Sequence, residues 1–284
     1  MKTILVDSSA ILFPLIYNAS GYELTTDKGV VVTCVYSFLE ELLNLGLEFS
    51  SNRFIILFDS RESLRRAIYP EYKLNRQEVS DEIKEKRISL YSQIPLLRDF
   101  LTGMGIPCIS EEGFEADDLI ASFVLNNPSM DFVTVSSDHD MLQLIRENNI
   151  IYNPRKGRYV DASVFQEQFP HLSPKEYWRI LSLAGCSTDN VPPCIKGVGE
   201  RTAYQYLQGT LKESSKAYQK IQEGLINTPL IESLTHLPLN TTPIYRVPSI
   251  HLKFSSFLEL STEYQFQSFL NSLLPKWSLW FNMR

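Results

Sequence analysis

Eight carboxylates, gathered in five short stretches, are the residues of this chain best suited to act together. They are Asp7 in ILVDSSA, Asp59 in FIILFDS, Glu115, Asp117 and Asp118 in GFEADDLI, Asp138 and Asp140 in SSDHD, and Asp189 in TDN. Two carboxylates about 4 Å apart repel by roughly 4 kcal/mol at an effective dielectric near 20. A cluster of them therefore holds together around cations, and oxygen-only ligands select hard ions such as Mg²⁺ or Mn²⁺. The chemistry this set points to is metal-dependent hydrolysis of phosphodiesters. For any one acid the competing explanation is a turn or helix N-cap, where Asp is common. That explanation weakens when all the stretches are taken together.

Three of the groups end apolar runs rich in Ile, Val, Leu and Phe, the pattern of buried strands. Parallel strands of an open sheet present ligand-binding side chains at their carboxyl ends, so these acids are expected to share one crevice. Strands are expected at 2–7, 53–58, 106–109, 132–135 and 150–152, with an apolar helical or irregular stretch at 9–19 and a polar loop at 20–29. Helices are expected at 31–46, ended by Gly46, at 115–126 and at 141–147. The fold class is α/β, with a mostly parallel central sheet flanked by helices. Glu115 and Asp118, three apart, would share a helical face. Asp138 and Asp140, one residue apart, would point the same way in an extended turn.

From Pro170 the pattern becomes helical, with helices expected at 174–185 and 198–207 around a turn dense in Pro and Gly. This predicts a core over 1–170, a helical-hairpin (helix-hairpin-helix-like) region over 171–225, and a carboxyl-terminal extension over 226–284 packing on the core. In the extension, Phe266, Phe269, Leu270, Leu273 and Leu274 fit one helical stripe. Trp277, Trp280 and Phe281 could dock a partner, but packing against the core is the expectation. The chain shows no internal repeat and no low-complexity tract.

Two further groupings could hold an anionic polymer. Segment 61–87 carries eight basic residues against six acids, which a solvated helix face explains as well as binding does. Within it, Lys73 and Arg76 would share a helical face and reach a phosphate, while Tyr72 could stack on a base. In IKGVGERTA, Gly197 and Gly199 let backbone amides approach a phosphate at a helix start, and Lys196, Arg201 and Thr202 add charge and a hydroxyl. A plain helix–helix turn is the bland alternative.

At 284 residues, 44% apolar and 21% charged, the chain has the composition of an ordinary globular protein. Its net charge is −6, and setting aside the eight clustered acids leaves +2. An anionic substrate is therefore not excluded, because bound cations would make the site positive. Cys34, Cys108, Cys186 and Cys194 form no close CxxC pair, Asp7 interrupts the first apolar stretch, and no run approaches the ~20 apolar residues of a membrane span. The expectation is a reduced, cytoplasmic protein with no membrane partner.

In order, ILVDSSA, FDS, PEYKLNR, GFEADDLIAS, VSSDHDMLQL and GCSTDNVPPCIKGVGERTA resemble the 5′-nuclease superfamily, specifically its compact phage and bacterial flap endonucleases and 5′–3′ exonucleases with a PIN-like core. The resemblance spans roughly residues 2–207. It implies two metal ions, Mg²⁺ or Mn²⁺. Asp7, Asp59, Glu115 and Asp117 would hold the first, Asp138, Asp140 and Asp189 the second, and Asp118 would support both. It also implies a helical arch around 61–98 that threads a single 5′ strand, with Lys73 and Arg76 on the scissile phosphate. A helical hairpin gripping duplex DNA through its backbone follows as well, with a K⁺ ion on its carbonyls. The implied activity is structure-specific hydrolysis of DNA, or of RNA-primer 5′ strands, at single/double-strand junctions in replication and repair, by a monomer. The products would be a 5′-phosphate and a 3′-hydroxyl.

One position departs from the family pattern Gly-Asp-x-x-Asp-Asn. The chain has Gly185-Cys186-Ser187-Thr188-Asp189-Asn190, with a thiol where an acid is usual. A thiol suits Mg²⁺ poorly, so weaker affinity, a Mn²⁺ preference or a narrowed activity would follow unless other acids and water cover the loss. A zinc site from Cys186 and Cys194 lacks further His or Cys partners, and His139 reads as a turn residue. The rival functions are a PIN-type ribonuclease, against which IKGVGERTA counts, and a catalytically impaired structure-specific DNA-binding protein, which only Cys186 favours.

Overall fold

The computed structural model describes residues 1–17, 23–77 and 79–283. Parts of the apolar stretch expected at 9–19 and of the loop expected at 20–29 lie outside these. Six strands form: β1 (Thr3–Asp7), β2 (Phe54–Leu57), β3 (Cys108–Ile109), β4 (Phe132–Val135), β5 (Asn149–Asn153) and β6 (Arg158–Val160). They pair in the order β3-β2-β1-β4-β5-β6, all parallel except β6, which runs antiparallel to β5. Along β1 the side chains alternate between two cores: Ile4 and Val6 pack on one face of the sheet, Leu5 on the other. The register sets Asp7 beside Leu57 and Val6 beside Val135, so β1, β2 and β4 end together. The chain lays β2 and β3 outward on one side of β1, then returns to its other side with β4. Ligands of open α/β sheets bind in the crevice left by such a reversal.

The described helices are α1 (Ser8–Tyr17), α2 (Thr33–Glu48), α3 (Leu64–Ile68), α4 (Asp81–Gly103), α5 (Ala116–Asn126), α6 (Ala162–Gln168), α7 (Tyr177–Ala184), α8 (Glu200–Leu207), α9 (Lys216–Gly224), α10 (Thr228–Thr235), α11 (Phe254–Glu263), α12 (Gln267–Leu270) and α13 (Leu274–Phe281). Helices α1, α2, α4 and α11–α13 cover one face of the sheet, and α5–α10 cover the other. Among the described residues, no helix is long and apolar enough to cross a membrane.

Several expectations are corrected. Gly46 does not end α2, which continues to Glu48. A Cβ at position 46 would fall 2.1 Å from Trp280 Nε1, so glycine is needed there for close approach. The helix expected at 141–147 is a 3₁₀ segment, His139–Leu144. Gln143 donates to Asp140 O and to Thr235 O, and Arg146 already bridges to Asn149. That leaves no length for an α-helix. The stripe from Phe266 to Leu274 is split between α12 and α13, because Pro275 starts a new helix near its first position. Trp277 and Trp280 are fully buried against Phe257, Phe269 and Phe54.

Candidate active site

The sheet delivers the first acids directly. Asp7 ends β1, where its carboxylate accepts from Ser9 N at 2.9 Å and Ser136 Oγ at 3.0 Å. Asp59 follows β2, accepting from Ser9 Oγ and from Ala116 N, each at 2.9 Å. Ser9 thus ties the two acids together, and Ala116 N ties Asp59 to the start of α5. Glu115 is the N-cap of α5, and its capping box with Asp118 is reciprocal. The two acids are therefore fixed by the helix end rather than by sharing a helical face. Asp138 accepts from Asp140 N at 2.9 Å and caps the 3₁₀ segment after β4.

Asp189 comes from a different layer. It closes a 3₁₀ turn, Ser187–Asp189, between α7 and α8, in a loop pinned by paired hydrogen bonds between Cys186 and Val191. Lys73 N donates to Asp189 O at 2.8 Å, and Asn190 donates to Glu71 O at 2.8 Å. This loop and residues 71–76 are therefore laced together over the acids.

Three of the expected roles change. Tyr72 is 2% exposed and cannot stack on a base. Its hydroxyl lies 2.7 Å from Glu115 Oε2 and 2.9 Å from Asp189 Oδ2, sharing its one proton between two carboxylates that would otherwise repel. Lys73 and Arg76 do not share a helical face. Lys73 sits at φ +56, ahead of the 3₁₀ turn Leu74–Gln77, and both side chains turn back onto the acids. Lys73 Nζ lies 2.8 Å from Glu115 Oε1 and 3.5 Å from Asp189 Oδ2, and the Arg76 guanidinium pairs with Asp189 Oδ1. Asp118 is completely buried under a bidentate pair with Arg65 at 2.6 and 2.8 Å, and it also accepts from Leu239 N. Its observed contacts are structural: it joins α3, α5 and the segment after α10.

Arg65 escaped the sequence analysis. It is 1% exposed, bonds Asp118, approaches Glu115 at 3.4 Å and donates to Leu234 O at 2.9 Å. Nothing in the pattern separated it from the other basic residues of 61–87, since burial of an arginine depends on which carboxylate the fold places beside it.

The electrostatics divide the acids. Burial works against the charge of Glu115, but Lys73 and Arg65 outweigh it and hold its carboxyl below the usual range. The opposite holds for four others. Burial, then the neighbouring charge of Asp59, pushes Asp7 up to about 7. Burial and Asp138 raise Asp117, burial and Asp189 raise Asp138, and burial with Asp138 and Asp189 raises Asp140. Oδ1 of Asp140 is buried without a hydrogen-bond partner. Carboxylates crowded in this way, one with an orphaned buried oxygen, are the donor set a hard divalent cation neutralises. The residues fit such a cation.

Beside this cleft, α7 and α8 form the hairpin. Gly197, at φ +95, makes a turn that an L side chain would strain, and Gly199 N-caps α8 with no side-chain bond of its own. Lys196, Gly197, Gly199 and Arg201 are exposed and Thr202 is half-buried.

A model of the 5′-3′ exonuclease, N-terminal resolvase-like domain, matches residues 2–170, and the chain belongs to this family. Its relatives include a 5′-3′ exonuclease of Aquifex aeolicus, 30% identical over 228 residues, covering 78% of this chain and 75% of that protein. DNA polymerase I of Mycobacterium tuberculosis is 33% identical over 211 residues, 72% of this chain. The chain spans only 22% of the length of that polymerase. Among solved structures, the bacteriophage T5 D15 protein co-crystallised with metal ions has a TM-score of 0.71 at 19% identity, over 84% of this chain and 90% of that one. The catalytic core of Rad2 in complex with DNA substrate has a TM-score of 0.56 at 15% identity, over 97% and 92%. Both share the fold.

Proposed function

We propose that this chain is a structure-specific, divalent-metal-dependent 5′-nuclease that hydrolyses DNA, or the RNA-primer part of a 5′ strand, at junctions of single and double strand. The observation that carries this reading is the set of carboxylates at the ends of β1, β2 and β4 with the orphaned Asp140 oxygen, lying beneath Lys73 and Arg76 and beside an exposed glycine-turn hairpin. Asp7, Asp59, Glu115 and Asp117 would hold a first cation, Mg²⁺ or Mn²⁺, and Asp138, Asp140 and Asp189 a second. Cations bound by these residues would ease deprotonation of an attacking water and offset the charge developing on the leaving oxygen.

The chain's own residues do the rest. Lys73 and Arg76 exchange their carboxylates for the incoming phosphate and hold it over the acids. Tyr91, half-exposed on α4, takes the stacking role that buried Tyr72 cannot. Residues 61–98 form the arch over the 5′ strand. Lys196, Arg201, Thr202 and the amides at Gly197 and Gly199 grip the duplex backbone without reading its sequence, with a K⁺ ion on the turn carbonyls. The division into core (1–170), hairpin region (171–225) and extension (226–284), a monomeric state and a cytoplasmic location belong to the same reading.

The test is cleavage of a 5′-labelled flap duplex in EDTA, Mg²⁺ or Mn²⁺, with Asp117→Asn beside the natural chain. Metal-dependent cutting near the junction, lost in the variant by more than about 100-fold, is the expected result. Tight flap binding with no cutting in either metal would reduce the protein to a binder, and cutting confined to single-stranded RNA would favour a PIN-type ribonuclease.

A further inference from the structure

Asp140, Cys186 and Asp189 each offer a ligand atom, and the three lie within 4.8 Å of one another. A Zn²⁺–thiolate bond is ~2.3 Å and a Zn²⁺–carboxylate bond ~2.0–2.2 Å, so three donors spread around one ion lie roughly 3.4–3.8 Å from one another. A contraction of at most roughly 1.4 Å brings all three onto one cation. A second, independent feature points the same way. Asp140 is 6% exposed, and its Oδ1 is buried with no hydrogen-bond partner. An unpaired buried carboxylate oxygen is costly, and a cation between it and Cys186 removes that cost.

The thiol is placed by local structure rather than packed away. Paired hydrogen bonds between Cys186 and Val191 clamp the loop, and the 3₁₀ turn between them brings Asp189 to the same side. Sγ hydrogen-bonds with the Thr188 hydroxyl at 3.0 Å, and the side chain is half-buried at the edge of one apolar core. Cys34 and Cys194, in contrast, are buried in the two apolar cores.

We propose, resting on the two-cation reading above, that Cys186 converts the second cation position into a mixed sulfur–oxygen site taking a thiophilic divalent cation, of the class of Zn²⁺, Cd²⁺ and Co²⁺, in preference to Mg²⁺. Mg²⁺ demands oxygen ligands in near-octahedral order, whereas a thiolate favours softer ions. As the sulfur–metal bond forms, the Cys186 thiol loses its proton to solvent, so binding releases a proton. The first cation position, built from oxygens alone, keeps its preference for hard ions.

Titration of the full, EDTA-stripped chain with Co²⁺, followed by absorption, tests this without reference to cleavage. A thiolate bound to Co²⁺ gives a near-ultraviolet charge-transfer band that oxygen ligands do not. The band should appear in the natural chain and in Cys194→Ala, and be absent in Cys186→Ser and Cys186→Asp. Stoichiometric Zn²⁺ should abolish it, and excess Mg²⁺ should not. By calorimetry, Cys186→Ser should weaken Zn²⁺ binding at this position by roughly 10–100-fold, while Cys186→Asp should strengthen Mg²⁺ binding. Far-ultraviolet circular dichroism checks that both variants fold. Saturable Co²⁺ binding without the band, or a band that survives in Cys186→Ser, would overturn the thiol's role while leaving the two-cation reading intact. No Co²⁺ binding of any kind would overturn both.

Discussion

Glu115, Asp118 and Asp189 meet fixed cations of the chain itself, whereas Asp7, Asp117, Asp138 and Asp140 meet mostly one another. On the first side, Arg65, Lys73 and Arg76 supply the counter-charge and the Tyr72 hydroxyl bridges the remaining gap. On the second, burial and like charge raise the carboxyl groups, and one oxygen has no partner at all. The difference separates acids already neutralised by the chain from acids still open to a cation within one cluster. The paired side is charge-balanced before any cation or phosphate arrives, and it joins α3, α5 and the hairpin loop. The unpaired side is stable only with something added, either protons or cations.

Opposite responses to mutation would establish that contrast. Arg65→Met leaves Asp118 buried without its partner, and losing one member of such a pair costs about 3–5 kcal/mol. Asp140→Asn removes a repelling charge from the other side and should raise, not lower, the stability of the metal-free protein. Urea unfolding in EDTA measures both. Destabilisation of similar size in the two variants would mean the sides do not differ.

The metal-free protein should also depend on pH in a direction the unpaired side dictates. The folded-state carboxyl of Asp7 is raised from 3.8 to about 7, so between those values the folded protein holds a proton that the unfolded chain has released. Stability in EDTA should therefore fall as pH rises from about 4 to about 7 and level off above, by at most on the order of 4 kcal/mol from this group. Saturating Mg²⁺ should flatten the fall, because cations then neutralise the same oxygens. Thermal unfolding across pH, with and without Mg²⁺, reads both curves. A stability that climbs through this interval in EDTA would place Asp7 among the paired acids.

How much of this was legible in the sequence follows from what each feature depends on. Period and composition carried β1, β2, β4 and α5, because a buried parallel strand must be an apolar run and its acid falls at the end. Acids on local motifs, such as Asp138 capping its own turn, were legible for the same reason. What was lost depended on distant partners. Arg65 looks like its neighbours until the fold sets Asp118 beside it. Tyr72 reads as a stacking residue until the loop carrying Asp189 closes over it, and Gly46 reads as a helix end until Trp280 arrives from 234 residues along the chain. The strand β6 was missed because three residues at an exposed sheet edge are too few to show an alternating pattern.

The same contrast between satisfied and unsatisfied charge extends from the acids to the bases, and it sets the smallest of the expected effects. Lys73 already has two carboxylates within 3.5 Å, whereas Lys196 and Arg201 stand exposed at the hairpin. A cation that stays paired with carboxylates neutralises no phosphate of the duplex and so releases none of the DNA's condensed counterions. An exposed cation that replaces counterions on a phosphate does the opposite, and each such contact contributes a slope near −0.9 to the salt dependence of binding. In EDTA, where cutting cannot interfere, Lys196→Ala and Arg201→Ala should each lower the salt slope for duplex binding by about 1 and weaken binding alike for unrelated sequences. Lys73→Ala should leave that slope nearly unchanged and show its effect instead in the rate of cleavage. Fluorescence anisotropy over a salt series, beside single-turnover cleavage, separates the two. If Lys73→Ala flattens the slope as much as the hairpin variants do, its pairing with Glu115 does not persist in solution, and the paired side of the cleft would then be open to the substrate before any cation arrives.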